Sequence, residues 1–101
     1  MLENKTVLTG VKPTGTPHLG NYLGAIKPAV RLGHEAVAAG GKHYMFIADY
    51  HAINAEKNPV ILNQKLREIA CIYLASGLDP QKSYFYRQSD IPEIPEITTI
   101  L

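Results

Sequence analysis

The chain has 101 residues, 46% of them hydrophobic, with ten Lys or Arg against nine Asp or Glu and a net charge of +1. That length accommodates one domain with a modest core, and the near-neutral balance supplies no basic tail or stripe of the kind that marks a nucleic-acid surface. No apolar run reaches the roughly 20 residues of a membrane helix, and the start, MLENK, carries no secretion signal. The one cysteine, Cys71, permits no internal disulfide and is expected as a core thiol. The chain reads as soluble and cytoplasmic.

Residues 6–11 read as a first strand that passes through Val7 and Leu8 into Gly10 and a Pro/Gly/Thr loop. The loop opens a helix at about His18. Pro28 lacks the N–H that helix needs and clashes with the preceding turn, which predicts a kink or break there, with residues 28–38 resuming as helix. Gly40-Gly41 then stops it. Residues 43–48, HYMFIA, form a continuous aromatic and apolar run, the sign of a strand buried on both faces. Asn58 followed by Pro59 is a helix start, a capping side chain before proline at the first helical position. Leu62, Leu66, Ile69 and Tyr73 then recur at helical spacing, and Gly77 closes the helix. Tyr22 is expected to pack its helix onto the sheet, whereas His34 and His43 read as surface or helix-end residues. Residues 83–88, SYFYRQ, form a third strand, Pro92 and Pro95 break the loop after it, and Glu96 to Leu101 start another helix. That run ends on Ile100-Leu101 without a cap, so the expectation is a piece of a longer enzyme.

The order β-α-β-α-β-α predicts an α/β fold: a Rossmann-like parallel sheet with helices on both faces, incomplete at about three βα units. Ligands of such sheets sit beyond the carboxyl ends of the strands. Three segments converge there: Gly10 to Asn21, Asp49 to Asn54, and Gln88 to Glu93. A strand, a glycine-containing turn and a helix N-terminus suit a phosphate, which meets free N–H groups and the positive end of the helix dipole. The turn lacks the Gly-Lys-Ser/Thr of a Walker loop and the GxGxxG of a dinucleotide site. His18 and Asn21 add two neutral donors at that helix start. Asp49 and His51 follow the second strand on the same rim. They fit a turn-capping carboxylate with a backbone-bonded imidazole, or the wall of a substrate pocket; as a metal pair they lack a third ligand.

The segment PTGTPHLGN resembles the His-Ile-Gly-His region of class I aminoacyl-tRNA synthetases. With Asn in place of the last His, and Tyr-Leu-Gly-Ala following, it is similar to the tryptophanyl-tRNA synthetase family in particular. FIADYHAI at 46–53, YLASGLDPQKS at 73–83 and YRQSDIPEIPE at 86–96 resemble the same family in the same order, so the likeness runs from about residue 6 to 101. It identifies residues 1–101 as the N-terminal part of a class I catalytic domain.

The resemblance implies ATP-dependent activation of tryptophan to its adenylate and transfer to tRNA(Trp), with Mg2+ accompanying the ATP phosphates and a homodimer as the assembly. It implies catalytic roles for His18 and Asn21, ATP contacts from Lys12, Pro13, Thr14, Gly20 and Asn21, and amino-acid contacts from Leu8, Gly10, Asp49 and His51. Lys12 departs from the family, where Gln is frequent; it is either a phosphate contact or a solvated side chain. The family's lysine-rich Lys-Met-Ser-Lys-Ser clamp has no match in the sequence, which implies that these 101 residues alone are nearly inactive. The alternatives are a tyrosyl-tRNA synthetase, another nucleotidyltransferase with a His-x-Gly-x loop, and a non-catalytic nucleotide-binding fragment.

Overall fold

In the computed structural model, which describes residues 3–13 and 22–101, β1 (Thr6–Val11), β2 (Lys42–Ile47) and β3 (Tyr84–Arg87) form one parallel sheet in the order β1-β2-β3. The connections carry α1 (Lys27–Ala38), α2 (Asp49–Ala52) and α3 (Pro59–Ala75), and α4 (Glu93–Ile100) follows β3. The α/β class and parallel Rossmann-like sheet expected from the sequence are present. Because the strands are in sequential order, crossovers of one hand deliver both long helices to the same face. There Ile26 and Val30 beside α1 meet Leu66, Ile69 and Tyr73 of α3 over Met45 and Ile47 of β2. Tyr22 packs against the same cluster.

Local chemistry explains the boundaries. The break expected at Pro28 takes the form of a π-helical turn, Tyr22–Ile26, that hands over to α1 with proline in its first turn. A proline N–H is not required there. Both glycine stops are Schellman caps: Gly40 (φ 84°) and Gly77 (φ 108°) adopt the left-handed conformation. Gly41 N–H then bonds Ala36 C=O at 2.8 Å, and Leu78 N–H bonds Tyr73 C=O at 3.1 Å. Asn58 caps α3 by accepting Val60 N–H at 3.0 Å. Helix α4 starts at Glu93, three residues before the expected Glu96, because Pro95 lies in its first turn, where no helical hydrogen bond is lost. Residues Asp49–Ala52 form a short helix, and Gln88–Asp90 a 3-10 turn, where loops were expected.

Burial corrects two further expectations. Cys71 is exposed; it lies off the stripe of α3 that buries Leu66, Ile69 and Tyr73. Strand β2 is fully buried on one face only, through His43, Met45 and Ile47, whereas Tyr44 and Phe46 on the other face are half-buried.

His43 is a core residue rather than a surface one, with no exposed area. Gly33 of α1 rests directly on its ring, where a Cβ would overlap the imidazole. His34, by contrast, is exposed, and its Nε2 bonds Gly77 C=O at 2.9 Å. Burial, with the neighbouring His34 second, holds the His43 pKa below its ordinary value of 6.5. The native state therefore binds its proton more weakly than the unfolded chain. The stability this neutral histidine supports is complete above pH 6.5 and is lost as pH falls from there through the lower native value. Urea midpoints measured down this range are expected to decline less in His43→Asn than in the parent chain.

Candidate functional site

The register decides which residues share the carboxyl end of the sheet. Val11 pairs with Ile47, and Ile47 with Arg87, so the three strands end abreast. The three loops expected to converge do leave from one rim. Ala48 N–H bonds Val11 C=O at 2.7 Å, which extends the ladder one step past β2.

Side chains alternate across a strand, which sorts the expected residues by face. Leu8 and Gly10 lie on the face opposite the helices, in register with Tyr44 and Phe46. Leu8 is 63% exposed. The Phe46 ring lies across Gly10, where a Cβ would stand 2.5 Å from Phe46 Cζ. Glycine here lets the ring fill the space a side chain would take, leaving a flat aromatic floor beside Leu8. That floor continues through Tyr86, 6.1 Å from Phe46 between ring centroids, and through Tyr84 stacked on Tyr44 at 4.7 Å. Beside the free edge of β3 it opens into a concavity of about 560 Å3 lined by Tyr44, Pro80, Tyr84, Tyr86, Ile91 and Ile94. This concavity flanks the sheet edge rather than the strand ends, so it is not the rim site.

Beyond β1, Lys12 is exposed and Pro13 is buried. Thr14, His18, Gly20 and Asn21 lie outside the described residues. After β2, Asp49 begins α2 and is only 7% exposed, whereas His51 is exposed. The Asp49 carboxylate accepts Ser89 N–H at 3.0 Å and also the Ser89 hydroxyl. Asp49 and His51 therefore do different things: one ties the second loop to the third, and the other faces solvent. Among the described residues no group of three His, Cys, Asp or Glu side chains stands ready to hold a metal.

The third loop carries a second tie. Arg87 Nη2 donates to Asp90 Oδ1 at 2.7 Å, and Arg87 N–H donates to Asp90 Oδ2 at 3.0 Å. These bonds lower the Asp90 pKa and raise that of Arg87. The two charges are engaged with each other, so Arg87 is a brace for the Gln88–Asp90 turn. On the helix side of the rim, Asn63 and Arg67 of α3 line a cavity of about 420 Å3 with Ile47 and Arg87. Sequence reasoning missed the Ser89 tie and the Arg87–Asp90 brace. Only the brace had a local signal, an acidic residue three positions after a basic one at a strand end.

A parallel sheet whose three strands end abreast, with the second and third loops tied at its carboxyl rim, is the frame of a Rossmann-like fold. The family model for class I tRNA synthetases (W and Y) matches residues 2–101, and the chain belongs to that family. It is 53% identical over 95 residues to tryptophan–tRNA ligase of Pseudomonas putida, covering 94% of this chain and 20% of the relative. It is 48% identical over 100 residues to that of Neisseria meningitidis, covering 99% of this chain and 29% of the relative. Among solved structures it is similar to Campylobacter jejuni tryptophanyl-tRNA synthetase complexed with ADP and tryptophan. That match has a TM-score of 0.83 and 41% identity over 94% of this chain and 28% of the other. The chain thus spans between a fifth and three-tenths of the length of these relatives. No described helix is long and apolar enough to cross a membrane.

Proposed function

We propose that the natural polypeptide carrying this sequence is a cytoplasmic, homodimeric tryptophan–tRNA ligase, and that residues 1–101 are the N-terminal part of its catalytic domain and the first half of its active site. The observation that supports this most is the 53% identity to the Pseudomonas putida ligase over nearly the whole chain.

In this reading the tryptophan carboxylate attacks the α-phosphorus of ATP. Pyrophosphate leaves, and a hydroxyl at the 3′ end of tRNA(Trp) then takes the acyl group from the adenylate as AMP leaves. Mg2+ enters with the ATP phosphates as part of that substrate. The protein forms no covalent bond to either substrate; it positions them and stabilises developing charge. His18 and Asn21 donate hydrogen bonds toward phosphate and ribose, and Gly20 lets the nucleotide approach the helix backbone. Thr14 and the backbone of Lys12 and Pro13 line the facing wall. Leu8 and Gly10 offer the amino acid an apolar surface over the Phe46 ring, with Asp49 and His51 at its border.

Pyrophosphate exchange by the natural polypeptide tests this. Exchange is expected with tryptophan and to be about 100-fold or more weaker with tyrosine, since pockets built around polar contacts discriminate strongly. Tyrosine-dependent exchange would assign the chain to the other branch of its family. Turnover to a stable nucleotide product without tRNA would remove it from synthetase chemistry.

A further inference from the structure

The core of this chain contains a hydrogen-bonded series of side chains, Ser83, His43, Thr9 and Met45, and Thr9 lies directly behind the expected amino-acid wall. Thr9 Oγ1 stands 2.8 Å from Met45 Sδ and 3.0 Å from His43 Nε2. With the Thr9 hydroxyl donating to Met45 Sδ, its lone pairs are left to accept from His43 Nε2, and the ring proton of this arrangement is on Nε2. The other nitrogen, Nδ1, then accepts, and Ser83 Oγ lies 2.9 Å from it as the donor. The order Ser83 to His43 to Thr9 to Met45 links the entry to β3, then β2, then β1. The ring is pressed from above by Gly33, where even a methyl group would overlap it.

Thr9 lies between Leu8 and Gly10. Its side chain is on the helix face of β1 and theirs are on the opposite face. Whatever fixes Thr9 fixes the height at which Leu8 and Gly10 meet a ligand. We propose that His43, acting through Thr9, is a positioning residue for the amino-acid wall formed by Leu8 and Gly10. This rests on the reading that those two residues face the amino acid. The titratable and charged groups around the ring are His34 on α1 and Lys82, which shares a cavity lining with His34 and Ser83. Neither is a carboxylate, so nothing described there favours a protonated ring. Strands β1 and β2 offer it only Thr9 and Met45. A proton on Nδ1 would instead be donated to Ser83 Oγ and reverse the direction of that link.

The experiment uses the natural polypeptide in tryptophan-dependent pyrophosphate exchange. Thr9→Val keeps the shape and removes the hydroxyl. It is expected to raise KM for tryptophan about five- to tenfold, the effect of one lost hydrogen bond, and to leave KM for ATP unchanged. Ser83→Ala is expected to shift the same constant less, and Thr9→Val with Ser83→Ala no more than Thr9→Val alone, because both act through one chain. Thr9→Ser, which keeps the hydroxyl, restores the parent value. Nitrogen NMR of the His43 ring is expected to report the Nε2–H form. Equal rises in both KM values, or a fall in stability with neither KM changed, would show an ordinary core histidine and overturn the proposal. An Nδ1–H ring would overturn it by reversing the chain. Gly10→Ala separates the underlying reading: if it leaves KM for tryptophan unchanged, the wall assignment fails and the proposal with it.

Discussion

Replacing His18 with alanine is expected to lower kcat for tryptophan-dependent pyrophosphate exchange by about 10²–10³-fold, the effect of deleting one preorganised donor aimed at developing charge. The register brings the end of β1 level with those of β2 and β3, so the loop that carries His18 leaves from the ligand end of the sheet. In the proposed role the His18 imidazole supplies a directed N–H toward the phosphate. Charge on the transferring phosphorus grows between ground state and transition state. The loss should therefore fall on kcat, with KM for tryptophan nearly constant. His18→Asn retains an N–H donor on a shorter arm and is expected to recover part of the rate. Asn21→Ala should resemble His18→Ala in kind. A His18→Ala enzyme with normal kcat and a raised KM for ATP would make His18 a ground-state contact and contradict this role.

Much of the frame was legible because its signals are local. Asn58-Pro59, Gly40 and Gly77 act through one turn of backbone each; the first starts a helix and the two glycines end one, as their chemistry requires. The stripe of Leu66, Ile69 and Tyr73 is a one-dimensional pattern with a single solution. What stayed hidden depends on pairing across the chain. In HYMFIA every residue is apolar or aromatic except the first, so the run does not announce that alternate residues face different environments. Only register with β1 and β3 shows His43 and Met45 facing the helices while Tyr44 and Phe46 face outward. Gly33, which makes room for the His43 ring, looks in sequence like a mere weak point in a helix. Pro95 misled because proline breaks a helix interior but is tolerated in its first turn, and the distinction needs the true start. The candidate site divides similarly. The convergence of three loops follows from topology, but the bonds that fix them join residues 40 positions apart, Asp49 and Ser89.

That pair yields the second large effect. Asp49→Ala is expected to cost about 2–3 kcal/mol in urea unfolding, since it removes an acceptor that holds two hydrogen bonds and leaves the Ser89 N–H and hydroxyl without it. Asp49 is 7% exposed, so water compensates poorly. Asp49→Asn keeps one oxygen for the Ser89 N–H, and its amide can donate to the hydroxyl; its cost should lie between the two. The consequence for activity depends on what the carboxylate touches. As a tie between loops, Asp49 and Ser89 act as one unit. Asp49→Ala should then raise KM for tryptophan, Ser89→Ala, which keeps the backbone N–H bond, should raise it measurably but less, and the double variant should be little worse than Asp49→Ala alone. A carboxylate in direct contact with the amino acid would behave differently: Asp49→Ala would raise KM strongly while Ser89→Ala left it near the parent value. The geometry favours the first outcome, because the hydrogen bonds that engage Asp49 come from the neighbouring loop. The His51 imidazole, exposed two residues further on, is then free to meet a ligand. His51→Ala should raise KM for tryptophan without the loss of stability that accompanies Asp49→Ala.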